Sequence, residues 1–173
     1  MPDKMKQIEE HIKAVMELLD IEETDSNRNT PKRIAKMYMN EVFKNRHNNL
    51  SELDRQMTVF NNDGSKEPIT MSDIKFNSMC EHHWLPFFGY VNVTYVPNNT
   101  IIGLSKIPRV VKFFSQKPQL QERLTKEIGE YLVSVLNPSY LRVEVTAVHT
   151  CVMCRGAESD CSTTTTYTFG GEK

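Results

Sequence analysis

Two of the four cysteines and three of the five histidines fall within seven positions: Cys80-Glu81-His82-His83 and His149-Thr150-Cys151. Thiolate sulfur and imidazole nitrogen are the preferred ligands of zinc. Cys80, His83 and Cys151 would give a three-ligand site with its fourth position open. A structural zinc site fills all four positions with protein, whereas an open one does chemistry. Zinc lowers the pKa of a bound water from about 15.7 to about 7, which makes a hydroxide nucleophile usable near neutrality. His82, beside a ligand, is then free as a proton donor, because imidazole titrates near pH ~6.5. His149 is a further candidate of the same kind. The predicted chemistry is hydrolytic. A lone cysteine is more often a small buried apolar group, and two adjacent histidines can be surface residues. A Cys-x-x-His pair with a distant His-x-Cys is more specific than either alone.

These residues need elements to position them. Leu141 to Arg155 reads as a long strand. Strand side chains alternate between faces, so Val143, Val145, Ala147, His149, Cys151, Met153 and Arg155 would share one. Cys154 then falls on the other face, so Cys151 to Cys154 is not a zinc knuckle. Cys80 and His83 are three apart, and their segment must turn for both to reach one ion. Residues 73–79 read as a short strand leading into that turn. Phe87 to Val96 is rich in aromatic and β-branched residues and reads as another strand. Pro97-Asn98-Asn99 reads as a hairpin turn, with 100–104 returning antiparallel. Thr163 to Phe169 is a last polar strand.

Helical spacing of Ile8, Ile12, Val15, Met16 and Leu19 predicts an amphipathic helix over 4–19. Thr30-Pro31 marks a second helix start, running to about Phe43. Arg33 and Lys36 lie one turn apart on it and, taken alone, read as a solvated basic face. Residues 45–54 read as loop. Ile107, Val110, Val111 and Phe114 fit a short helix with Pro108 in its first turn. Lys106 and Arg109 share a face near its N-terminus, a plausible anion seat. A longer helix runs from about Pro118 to Asn137-Pro138.

The 173 residues suit one structural unit: an N-terminal helical segment, 1–50, and a catalytic domain, 51–173. A net charge of −1 favours neither nucleic acid nor an anionic membrane. No apolar run approaches the ~20 residues that span a bilayer, and the N-terminus lacks a signal-peptide core. The expectation is a cytoplasmic protein whose cysteines bind metal or react.

Several segments together resemble GTP cyclohydrolase I. They are Cys80-Glu81-His82-His83 with Leu85-Pro86-Phe87-Phe88-Gly89, Gly103-Leu104-Ser105-Lys106-Ile107 with Arg109, Gln119 to Leu124, His149-Thr150-Cys151 through Arg155-Gly156, and Thr30 to Met37. The resemblance covers about residues 5–171. It implies an α+β tunnelling fold, an antiparallel sheet with helices packed on one side, assembled into an oligomeric barrel. The assembly is typically a homodecamer of two pentamers with active sites between subunits. It implies conversion of GTP and water to 7,8-dihydroneopterin triphosphate and formate. Zinc is held by the positions matching Cys80, His83 and Cys151, and its water attacks the imidazole carbon of the purine. His82 matches the residue that protonates the ring nitrogen, and His149 one that assists later proton transfers. Gln121 and Glu122 match residues that hold guanine, and Ser105 one near the ribose and phosphates. Arg33, Lys36, Lys106, Arg109 and Arg155 match a triphosphate cradle, and Glu81 is carried over with the substrate-binding set. A nitrile reductase of the same fold would carry Glu-Ser-Lys, but here Leu104 precedes Ser105-Lys106. A non-enzymatic zinc module would need a fourth protein ligand, such as His82 or Cys154.

Overall fold

The computed structural model describes residues 3–171. They fall into two compact units, one up to Lys44 and one from Asn45.

The first unit is helical. Helix α1, Lys4–Leu18, starts where the Asp3 carboxylate accepts a hydrogen bond from the Met5 N–H, an N-cap. Helix α2, Thr30–Met37, has Pro31 in its first turn, and Tyr38–Val42 continues as a single wide π-turn. Arg33 and Lys36 are exposed on α2.

The second unit is α+β. Helix α3 spans Leu50–Asp54 and strand β1 spans Val59–Asn61. Strands β2, Ile69–Cys80, and β3, Pro86–Val96, precede the short β4, Thr100–Ile102. Helix α4 is Lys106–Ser115, β5 is Pro118–Gln119 and helix α5 is Gln121–Leu136. Strand β6, Tyr140–His149, runs into one helical turn, α6, Thr150–Met153, and β7 is Ser162–Gly170. The main sheet has the order β5-β2-β3-β6-β7. Its long neighbours are antiparallel, but β5 lies parallel to β2, so the sheet is mixed rather than purely antiparallel.

Four expectations are corrected. The polar segment 45–54 ends in α3, because Leu53 is buried in the core. The strand before the metal turn begins at Ile69, since a bulge absorbs the polar pair Ser72-Asp73 that interrupts its alternation. At that bulge Asp73 takes a left-handed φ of 57° and its N–H donates to Asn92 Oδ1 at 2.9 Å. β4 does not return along β3; it pairs with β1, because both edges of β3 are taken by β2 and β6. Finally, β6 stops at His149 instead of continuing to Arg155.

The core lies on one face of the sheet. Ile74, Phe76, Ser78 and Cys80 of β2 are buried there, with Phe87, Val91, Val93 and Tyr95 of β3 and Leu141, Val143, Val145 and Ala147 of β6. Val110, Val111 and Phe114 of α4 and Leu124, Ile128 and Leu132 of α5 cover them. Gly129 of α5 lets the helix close on β7: a Cβ there would meet the Tyr167 ring at 2.1 Å. The opposite face carries exposed hydroxyl pairs, Thr70 with Thr94 and Thr146 with Thr164. Among the described residues no helix is long and apolar enough to cross a membrane.

Candidate metal centre

Cys80 is the last residue of β2 and points to the core side of the sheet, 6% exposed. After it the chain turns back at once. The Cys80 N–H donates to Leu85 O at 2.9 Å, and the Trp84 N–H donates to Cys80 O at 2.8 Å. Trp84 takes a left-handed φ of 51° to close this turn. The reversal brings His83 Nδ1 to 3.9 Å from Cys80 Sγ. Cys151 arrives from α6, where the Thr150 hydroxyl donates to Pro86 O at 2.6 Å and pins the turn beside β3. The helical turn, not strand alternation, aims Cys151.

One ligand atom each from Cys80, His83 and Cys151 lies within 4.8 Å of the others. Tetrahedral zinc with bonds of roughly 2.0–2.3 Å separates its ligands by about 3.5–3.8 Å. The 3.9 Å between Cys80 Sγ and His83 Nδ1 already matches that edge, and the rest needs a closure of about 1 Å. Two sulfurs and one imidazole are also the donor set zinc favours. Burial, then the neighbouring Cys80, pushes the Cys151 thiol up, while Arg155 pulls it down. A divalent cation between the sulfurs reverses that balance, since coordinated thiols are deprotonated.

His82 lies close to the centre. Its Nδ1 is 3.8 Å from Cys80 Sγ, although it stands outside the three-residue group. His149 pairs across the sheet with Phe87, and its ring stacks on the Phe87 ring at 4.7 Å. Burial lowers the His149 pKa, and the Glu122 carboxylate opposes this.

Gln121 opens α5 and is 2% exposed. Its Nε2 donates to Val145 O at 2.9 Å and Thr163 O at 2.8 Å. With both amide hydrogens placed, Oε1 faces His149 Nε2 at 2.8 Å and accepts a hydrogen bond from its N–H. The side chain is thus committed to the protein, which differs from a direct role in holding guanine. Glu122, next along, is exposed. Glu81, expected with the substrate set, is instead ion-paired to Arg123.

Among the expected phosphate ligands, Ser105 precedes α4 without capping it and is exposed. Lys106 is half-buried, and exposed Arg109 donates to Gln56 Oε1 at 3.3 Å. Arg155 follows α6, exposed and close enough to bear on Cys151. Cys154 is exposed, and its thiol donates to Thr150 O at 2.8 Å. Sequence reasoning missed Arg123, Gln119 and the Phe87 stack. Arg123 stood inside a quoted motif, and an acid between two metal-site residues was a signal that a cation should answer it.

Comparison with known proteins completes the picture. A family model described as GTP cyclohydrolase I matches residues 8–173. A GTP cyclohydrolase 1 of Blochmanniella pennsylvanica (strain BPEN) is 44% identical over 169 residues, 97% of this chain and 76% of the relative. One of Serratia proteamaculans (strain 568) is 42% identical over 174 residues, again 97% and 76%. In fold, the archaeosine synthase QueF-Like in the apo form superposes with a TM-score of 0.50 at 18% identity, over 61% of this chain and 96% of that one.

Proposed function

The chain belongs to the GTP cyclohydrolase I family of enzymes, and on that premise we propose that it opens the imidazole ring of GTP with zinc held by Cys80, His83 and Cys151. The products would be formate and, after rearrangement, 7,8-dihydroneopterin triphosphate, in a first step toward tetrahydrofolate, other pterins or deazaguanines. The observation that carries this reading is the meeting of those three ligands, from segments far apart in sequence, beside His82. Bound there, zinc would supply Lewis acidity and a coordinated water of lowered pKa.

The chain's own residues supply the rest. His82 donates a proton to the purine ring nitrogen as the ring opens. His149 presents a defined tautomer: its Nε2–H donates to Gln121 Oε1, so Nδ1 is the nitrogen left to accept a proton. Glu122 accepts hydrogen bonds from the guanine N–H and amino groups, a pattern adenine does not offer. Gln121, its amide bonded within the fold, orients the His149 ring for that proton transfer and anchors the first turn of α5, which carries Glu122. Lys106, Arg109 and Arg155, with Arg33 and Lys36 and the Ser105 hydroxyl, bind the triphosphate by charge-assisted hydrogen bonds. The working assembly is a cytoplasmic homodecamer of two pentamers with sites between subunits.

Incubation with GTP tests this. Formate and a pterin that fluoresces after oxidation are expected, with about one zinc per chain and far slower turnover of ATP. A zinc-loaded protein that releases no formate from GTP would overturn it.

A further inference from the structure

The metal turn is gripped from behind by one guanidinium. Arg123 is the third residue of α5. Its Nη2 pairs with Glu81 Oε2 and donates to Pro118 O at 3.1 Å, and its Nε donates to Gln119 Oε1 at 2.9 Å. Gln119, 1% exposed, holds the same turn by its backbone: its carbonyl accepts the Glu81 N–H at 3.0 Å. Its amide is fixed in turn, donating to Phe114 O at 3.0 Å and Glu127 Oε2 at 2.7 Å. The other Glu127 oxygen takes Lys117 Nζ at 2.8 Å. Glu81 sits between Cys80 and His82 and is therefore held at both backbone and side chain.

We propose that Arg123 is a positioning residue: by clamping Glu81 it fixes the Cys80–His83 turn for metal and ties it to the first turn of α5. The inference rests on the zinc reading above. Backbone bonds close the turn at Cys80 and Trp84, but its middle is restrained at Glu81. Held there, the Cys80 and His83 side chains meet the ion with little ordering left to do. The ion pair itself is partly exposed, 40% at Arg123 and 31% at Glu81, so screening leaves its Coulombic attraction modest. Its effect is geometric. Only a planar guanidinium reaches Glu81, Gln119 and Pro118 together; an ammonium would keep the charge and lose the fork. Partners behind metal ligands commonly change affinity by about 10–100-fold when removed. Because α5 also carries Gln121 and Glu122, the clamp sets where the metal stands relative to the guanine contact.

The test is zinc affinity of folded apo protein, by competition with a chromophoric chelator, alongside thermal unfolding of the same samples. Arg123→Gln and Glu81→Gln are each expected to weaken zinc by about 10–100-fold. Arg123→Lys should recover part of the loss. The double variant should bind no more weakly than either single one, since both remove the same contact. Single variants that keep wild-type zinc affinity within about twofold while unfolding earlier would show a role in stability alone and overturn the inference. Additive losses in the double variant would overturn it as well. Failure of the wild-type protein itself to bind zinc would defeat the metal reading and this inference together, whereas tight wild-type binding with indifferent variants defeats the inference alone.

Discussion

The two halves of the proposed site are built on opposite plans. The half with cysteines and histidines is wired into the fold: His149 is stacked and bonded, Gln121 is saturated, and the metal turn is clamped through Glu81. The half with cations is left open. Among the described residues Lys106 and Arg155 have no ion-pair partner, and the Arg109 guanidinium meets only a neutral amide oxygen. A small ion demands fixed ligand directions, so the protein supplies the rigidity. A triphosphate is flexible and highly charged, so its partners gain most if no carboxylate has neutralised them beforehand.

Replacement of His82 tests the contrast hardest. His82→Ala should keep zinc and lose a factor of about 10²–10⁴ in turnover, the share of a positioned general acid. Loss of zinc in this variant would make His82 a ligand, and the wired half would have a fourth arm. Arg155 tests the open half. Arg155→Ala should raise KM for GTP about 10- to 100-fold, as expected for a charged hydrogen bond, with kcat changed less and the defect shrinking in high salt. An unchanged KM accompanied by zinc loss would move Arg155 into the wired half. The smallest effect is expected at Tyr131 of α5, whose hydroxyl donates to Asp54 Oδ1 at 2.8 Å. Tyr131→Phe should cost about 1 kcal/mol of stability and leave KM and kcat alone. Burial, then Asp54, raises the Tyr131 pKa above its ordinary value of 10.0. In alkali the unfolded chain releases that proton first, so stability falls as pH rises above 10. Urea titrations at pH 9 and 11 should show this decline in the parent and a weaker one in the variant.

The difference between halves also decides what could be read from sequence. Cys80, His83 and Cys151 were legible because metal chemistry restricts residue type and spacing. The strands β3 and β7 and helices α1, α4 and α5 were legible from alternation or helical period. Pairing of β1 with β4 was not, because two three-residue strands carry almost no periodic signal. The end of β6 at His149 was missed because the odd positions beyond it still carry polar and apolar side chains that suit a strand. Gln121 shows a deeper limit. Its residue type fits base recognition, and only the tertiary placement of Val145 and Thr163 carbonyls reveals that its amide is already committed.

The bulge at Ser72-Asp73 has a consequence for which side of the sheet the first thiol faces. Met71 and Ile74 both look toward the helices although an even number of residues separates them, so the strand carries one surplus residue that changes parity midway. Shortening the chain by one at that spot would preserve the facing of everything downstream. The same deletion between Ile74 and Met79 would rotate the thiol to the far side, out of reach of its partner sulfur. The strand thus tolerates a change of one residue at its near end and none at its far end.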